Sequence, residues 1–173
     1  MSTVKKKRPV QAGRPIDCVL IASGDIVPLN TFDAAFRGGT TDRYAFQNLC
    51  PVPETVRAKG HKAECLWRKA HWGTPEELLM TVRVRQRNGR FYRFLTAETA
   101  PDRLYDQIAA GFPLLGFELV YVSDRQAESG PDAWITGPRL VWRKPWGERE
   151  SMTSHSPFAG TLDDALRMAG IIS

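Results

Sequence analysis

The chain of 173 residues is long enough to form one domain with its own hydrophobic core. Its hydrophobic share of 42% and its charged share of 25% are typical of a soluble globular protein and exclude wholesale disorder. No apolar run approaches the length of a membrane-spanning helix, and no apolar signal segment follows the basic N-terminal residues. Three cysteines do not make a disulfide framework, so we expect a reducing, cytoplasmic location.

The net charge of +5 is concentrated at the N-terminus. Residues 1–15 contain five basic residues and no acidic residue, and their lack of apolar periodicity predicts a disordered arm ahead of one domain over 16–173. Within that domain, residues 57–93 carry ten basic and three acidic residues, between two net acidic segments. This segregation favours a polyanionic partner. In the arm, the residues expected to contact that partner are Lys5, Lys6, Lys7 and Arg8.

The N-terminal part of the domain predicts one clear strand. Residues 16–22 (IDCVLIA) are apolar and rich in β-branched side chains, which indicates a buried strand. Residues 25–29 are compatible with a second, short strand that Pro28 would confine to a sheet edge. The segment that follows predicts no definite element, but its aromatic side chains are expected in the core, namely Phe32, Phe36, Tyr44 and Phe46.

Helical composition returns in the middle of the chain. Residues 54–72 predict a helix that Gly60 weakens by about 1 kcal/mol relative to alanine. The run 74–77 (TPEE) has the proline and acidic residues of a helix start. A further helix is expected over 102–110, ended by Gly111, and it would pack through Leu104, Tyr105 and Ile108.

The C-terminal part predicts three strands and a helix. A buried strand is expected over 117–122, and two short strands around Gly137-Pro138 include Trp134 and Trp142, which we expect in the core. A last short helix begins near Thr161. Pro145 and Gly147 place the intervening tryptophan in a loop. There, three residues are candidates for contact with a partner: Arg143, Lys144 and Trp146.

Residues 80–95 predict a β-hairpin in the middle of the chain. Two runs of alternating residues flank Asn88-Gly89, the dipeptide that best fits a type I′ turn, and this turn would place Arg85 opposite Tyr92. One face would turn to the core and carry Met80, Val82, Val84, Phe91 and Leu95.

The other face of this hairpin combines four guanidinium groups with two aromatic rings. Such a surface suits single-stranded DNA or RNA, because the cations follow phosphates and exposed rings stack on bases at about 1–3 kcal/mol each. Two alternatives are a solvated face with cation–π pairs, and a face packed under a helix with its arginine stems buried. The residues concerned are Arg83, Arg85, Arg87, Arg90, Tyr92 and Phe94.

Cysteine and histidine residues in the centre of the chain raise the question of a metal site. Cys50, His61, Cys65 and His71 offer two thiolates and two imidazoles, but their spacing matches no compact zinc pattern. We therefore expect neither a metal nor a cofactor. For nucleophilic catalysis, Cys65 with His61 or His71 is a candidate pair, and loss of activity without unfolding in Cys65→Ala would be its signature.

Together these patterns predict a single α+β domain. Its sheet would be mixed or antiparallel and include the hairpin, with two or three helices. The leading functional hypothesis is a small non-enzymatic protein that binds nucleic acid, preferably single-stranded, or a nucleic-acid-handling complex. The first alternative is a protein-binding inhibitor or adaptor, for example a phage or mobile-element accessory protein, that uses the same arginine and aromatic surfaces. The second alternative is a Cys/His-dependent enzyme.

Overall fold

An antiparallel sheet of five strands organises the described part of this computed structural model, which comprises residues 15–39, 43–123, 139–143 and Arg167. The strand order is β2-β3-β1-β4-β5, so β2 forms one edge and the first strand of the chain lies in the middle. All four pairings are antiparallel, which confirms the predicted α+β class. The strands are β1 (Ile16–Ser23), β2 (Leu79–Gln86), β3 (Gly89–Thr96), β4 (Gly116–Ser123) and β5 (Arg139–Arg143).

Five helices accompany these strands in the described residues. Three of them have ten or more residues, in agreement with the prediction of two or three helices. The other two are single turns. They are α1 (Ile26–Arg37), α2 (Phe46–Leu49), α3 (Glu54–Arg57), α4 (His61–His71) and α5 (Asp102–Gly111).

The hydrophobic core lies between one face of the sheet and the helices. Phe32 and Phe36 of α1 make edge-to-face contacts with Tyr92 of β3 at centroid distances of 5.6 and 5.3 Å. Phe46 meets Phe94 in the same manner at 5.4 Å. Such geometries bring the positive ring edge to the negative ring face and add to the gain from burial. The predicted burial of the aromatic residues between 32 and 46 is confirmed.

Helix α1 replaces the short strand that was predicted for residues 25–29, and that prediction is wrong. Pro28 is the third residue of the helix. The first four N–H groups of a helix have no partner within it, so proline costs no hydrogen bond there. The helix ends at Gly38, whose φ of 71° is the left-handed conformation that glycine adopts without strain.

The predicted helix over 54–72 is divided at Gly60. This residue has φ 89° and joins the single turn α3 to the longer α4. The predicted helix start at 74–77 is also wrong, because the structure has bends there. Glu77 instead accepts hydrogen bonds from the N–H groups of Phe46 and Gln47, and so provides the acceptor that the N-terminus of α2 needs.

The predictions for the last third of the chain are tested in part. Helix α5 begins and ends close to its predicted bounds and buries Leu104, Tyr105 and Ile108, as expected. Trp142 lies in β5, while Trp134 falls outside the described residues. Of the predicted last helix, the structure describes Arg167, which is helical.

Candidate interaction site on the hairpin edge

The hairpin forms at the predicted place but with a different register. Its two-residue loop is Arg87-Asn88 rather than Asn88-Gly89, so Arg85 lies opposite Arg90 and not opposite Tyr92. Gly89 belongs to β3, where it pairs with Ser23 of the neighbouring strand β1. Strand β3 is therefore paired with β1 from Gly89 onward, and the turn lies one residue earlier in the chain than predicted.

The two faces of the hairpin are the reverse of those predicted. Tyr92 and Phe94 are 0% and 1% exposed and belong to the core beneath α1 and α2. Val82 and Val84, expected in the core, are 59% and 51% exposed. The predicted stacking of bases on Tyr92 and Phe94 is therefore wrong. The alternative of a face packed under a helix agrees with this burial, and its arginine heads reach the surface at Arg83 and Arg85 but not at Arg90, which is 2% exposed.

A buried carboxylate explains how arginines come to lie over an aromatic core. Asp33 of α1 is 2% exposed. Its Oδ1 accepts hydrogen bonds from the hydroxyls of Tyr44 (2.8 Å) and Tyr92 (3.0 Å). Its Oδ2 lies 2.6 Å from Nη1 of Arg83. Burial of a charge requires such compensation, so Asp33 holds together a helix, a loop and two strands.

Two further guanidinium groups approach the same carboxylate. Nη2 of Arg37 lies 3.4 Å and Nη2 of Arg85 lies 3.5 Å from Oδ2 of Asp33. Two of the three, Arg83 and Arg85, come from the hairpin and share this one carboxylate. Arg85 is more than half exposed, so its positive charge is presented to solvent.

The ionisation of this cluster follows from its contacts. Burial by itself would raise the pKa of Asp33, but hydrogen bonds from Tyr44, Arg83 and Tyr92, with the charge of Arg83, hold that pKa below its usual value. Burial and the neighbouring carboxylate raise the pKa of Tyr44 to about 12 and also raise that of Tyr92. Asp33 is therefore ionised and both tyrosines are neutral donors at neutral pH.

Arg90 has a structural position rather than the predicted binding position. It is buried, and its guanidinium donates to the carbonyl oxygens of Gln86 and Gly89 and to Oδ1 of Asn30, each at 2.9 Å. These bonds close the hairpin turn and attach it to α1. Of the six hairpin residues proposed for contact with a partner, the structure leaves the side chains of Arg85 and Arg87 exposed, and that of Arg83 partly so.

The outer edge of β2 has no strand beside it in the described residues, since β2 ends the strand order. The pair Gln86–Gly89 flanks the two-residue loop and is therefore hydrogen-bonded across the hairpin. The alternation of an antiparallel ladder then turns the N–H and C=O groups of Arg83 and Arg85 outward. An irregularity between Leu79 and Val82 interrupts the ladder beyond this stretch.

The edge presents different side chains on its two sides. Val82 and Val84 lie on the face away from the aromatic core, and Arg83 and Arg85 lie on the face with Asp33. We use the name β2 edge for residues 82–87, of which all but Arg83 are exposed. It combines two uncovered aliphatic side chains, outward backbone groups and an excess of positive charge.

The four candidate metal ligands are not brought together. The thiol of Cys50 donates to Oε1 of Gln107 at 3.0 Å, and the ring of His71 stacks on Trp67 at 4.1 Å. Cys65 and His61 are neighbours on α4, with Sγ 3.4 Å from Nε2. In the ranges that the structure describes, no group of three or more such ligands is present.

The remaining candidate residues are not placed by the structure. Residues 5–8 of the arm lie outside the described residues, as do Lys144 and Trp146. Arg143 ends β5, and its side chain is not among those described.

Asp33, Arg37 and Tyr44 belong to the hairpin site but were not recognised from the sequence. The four-residue spacing of Asp33 and Arg37, typical of a helical ion pair, is the signal that could have indicated α1.

Comparison with protein-family models, with curated proteins and with solved structures finds no match. Among the described helices, none has the length and apolar character needed to cross a membrane.

Proposed function

We propose that this chain is a small protein-binding adaptor or inhibitor of the cytoplasm that pairs with an extended segment of its partner at the β2 edge. The observation that carries this proposal is the exposure of Val82 and Val84 on an edge strand whose outward backbone groups have no described strand partner. In strand addition, main-chain hydrogen bonds provide the affinity and alternate side chains provide the specificity. Both elements are present along this edge.

The burial of the aromatic rings supports this choice over the leading hypothesis. A single-strand binder needs exposed rings on which bases stack. Tyr92 and Phe94 have no exposed face to offer, and Arg90 is committed to the hairpin turn. What remains exposed is a strand edge, which is a template for pairing with another chain.

The backbone of Arg85 offers a direct test. Its N–H points away from β3, so Arg85→Pro removes a donor from the β2 edge without removing a bond of the hairpin ladder. Arg85→Thr is the matched control, since it removes the same guanidinium but keeps the N–H. Binding peptides would be selected from a displayed random library on the full chain and located by amide chemical shifts.

We expect selected peptides to shift the amides of Arg83 and Arg85, and we expect the proline variant to bind them at least tenfold more weakly than the threonine variant. Circular dichroism and thermal unfolding of both variants provide the folding control. Equal binding by the two variants, or shifts confined to other surfaces, would refute strand addition at this edge.

Nucleic-acid binding is the second candidate function, and the observation that favours it is the positive charge of Arg85 and Arg87, whose side chains are exposed. Here residues 5–8 of the arm would neutralise phosphates together with Arg85 and Arg87, without base stacking. Binding would then show little preference for single strands, because backbone contacts do not read sequence.

This candidate is tested by fluorescence anisotropy over a salt series with single-stranded and duplex oligonucleotides. Four or more phosphate contacts predict a log–log salt slope of about −3 or steeper on single strands. Removal of residues 1–15 should flatten that slope. Absence of binding at low salt, or a slope that the truncation does not change, would exclude the arm from such a role.

A further inference from the structure

The charge pattern of the β2 edge points to a definite partner chemistry, and this inference rests on the proposed strand addition. We infer that the partner segment is an extended peptide in which acidic and aliphatic residues alternate. Its carboxylates would lie beside Arg83, Arg85 and Arg87, and its aliphatic side chains would lie beside Val82 and Val84.

The alternation follows from the pleat of the sheet. Side chains on neighbouring strands that lie opposite each other point to the same face. A strand paired to β2 therefore places every second side chain on the face of Arg83 and Arg85, and the others on the face of Val82 and Val84. The two faces of the β2 edge differ in chemistry, so the two sets of partner side chains must differ as well.

The positive charge on the face of Arg83 and Arg85 favours acidic residues in the partner segment. Arg83 and Arg85 share the single carboxylate of Asp33. Arg83 makes the shorter of these two contacts, at 2.6 Å, whereas Arg85 is at 3.5 Å and more than half exposed. Arg85 is therefore the cation best able to accept a second carboxylate, and the exposed Arg87 extends the positive charge toward the turn. Opposite charges directly across a strand pair stabilise the pairing.

The same charges disfavour pairing of β2 with a second copy of itself. Antiparallel pairing of two β2 edges would use the outward backbone groups of Arg83 and Arg85 on both copies, and would therefore place arginine opposite arginine. Like charges directly opposite are destabilising, and charged residues are a common protection of edge strands against self-association. The pattern excludes the identical chain by repulsion and admits a segment of opposite charge.

Synthetic seven-residue peptides test this inference on the full-length chain. The first probe is Thr-Val-Glu-Val-Glu-Val-Thr, and two others replace both glutamates by glutamine or by lysine. A fourth has the composition of the first with its glutamates adjacent, which destroys the alternation. Affinities would be measured by titration of the amide chemical shifts of Arg83 and Arg85. In the edge-blocked control Arg85→Pro, which lacks the second amide, the shift of Arg83 is followed.

We expect the alternating glutamate peptide to bind at least tenfold more tightly than the glutamine, lysine and adjacent-glutamate peptides. Its affinity should fall as salt is raised, because exposed charge pairs are screened. In the Arg85→Glu, Arg87→Glu double variant the preference should change to the lysine peptide. The basic residues Lys59 and Lys62 are exposed and belong to the segment of α3 and α4 rather than to the hairpin, so their replacement by glutamate is the matched charge control and should leave the preference unchanged.

The possible failures are distinguishable. If the peptides bind at the β2 edge and Arg85→Pro abolishes binding, but glutamate and glutamine peptides bind equally, the acidic preference is wrong and strand addition stands. If no peptide shifts the edge amides, strand addition itself is refuted. Concentration-dependent dimers that Arg85→Pro dissociates would identify a second copy as the occupant and overturn the inference.

Discussion

Replacement of Asp33 by asparagine removes the negative charge around which the hairpin and α1 are assembled. Removal of one partner of a buried ion pair costs about 3–5 kcal/mol. Asparagine retains a carbonyl oxygen that can accept from Tyr44 and Tyr92, and the guanidinium of Arg83 is partly exposed. We therefore expect Asp33→Asn to lower the free energy of unfolding by about 3 kcal/mol, at the lower end of that range.

Urea unfolding followed by tryptophan fluorescence measures this loss. With a slope of about 1–3 kcal/mol per molar urea, the midpoint should fall by about 1–3 M. Asp25→Asn is the control, since Asp25 is exposed at the N-cap of α1 and asparagine is an equally good residue there. A loss below about 0.5 kcal/mol for Asp33→Asn, the range of ordinary surface substitutions, would refute the central place of Asp33.

The pH dependence of the same comparison tests the ionisation of Asp33. Its pKa is lower in the folded protein than the value of about 3.9 expected in the unfolded chain. Ionised Asp33 therefore stabilises the fold fully above that unfolded value, and the stabilisation is lost as the pH falls through the folded pKa. The difference in the free energy of unfolding between the wild type and Asp33→Asn should be constant near neutral pH and should become smaller below about pH 4. A difference that does not change with pH would contradict a charge effect.

Three further predictions concern two substitutions and the reactivity of the cysteines. Arg90→Ala removes the three hydrogen bonds that close the turn, and should cost about 2–3 kcal/mol in urea unfolding, with no recovery in Arg90→Lys. Phe32→Ala leaves a cavity under the sheet and should cost about 3–5 kcal/mol; a loss under 1 kcal/mol would be inconsistent with its complete burial. Cys18 is buried and its pKa is raised by that burial, so it should react with a thiol reagent after unfolding, whereas half-buried Cys65 should react in the folded protein.

Most of the regular elements of this fold could be predicted from local sequence patterns. The apolar run of β1, the alternating runs of the hairpin and the apolar stripe of α5 each depend on neighbouring residues, and each lies close to its predicted place. Helix α1 was missed because Pro28 argues against a helix unless the helix begins just before it. Asp25, the N-cap residue, was the local signal that such a start was present.

The orientation of the hairpin depended on residues distant in the sequence. Both of its faces carry apolar side chains, and the arginines made one face resemble a solvated surface. The aromatic side chains of that face pack into the core, and Asp33, fifty residues before Arg83, offers the arginines a partner at the margin of that core. No pattern within residues 80–95 contains this carboxylate, so the hairpin sequence by itself could not distinguish the two orientations.

Native-state hydrogen exchange of the β2 amides is the most direct test of an accessible strand edge. The N–H groups of Val82 and Val84 point to β3, and those of Arg83 and Arg85 point outward. We predict slow exchange for the two valines and exchange at least a hundredfold faster for the two arginines in the free protein. Protection of the arginine amides equal to that of the valines would mean that the β2 edge is already occupied, and would contradict the proposed function.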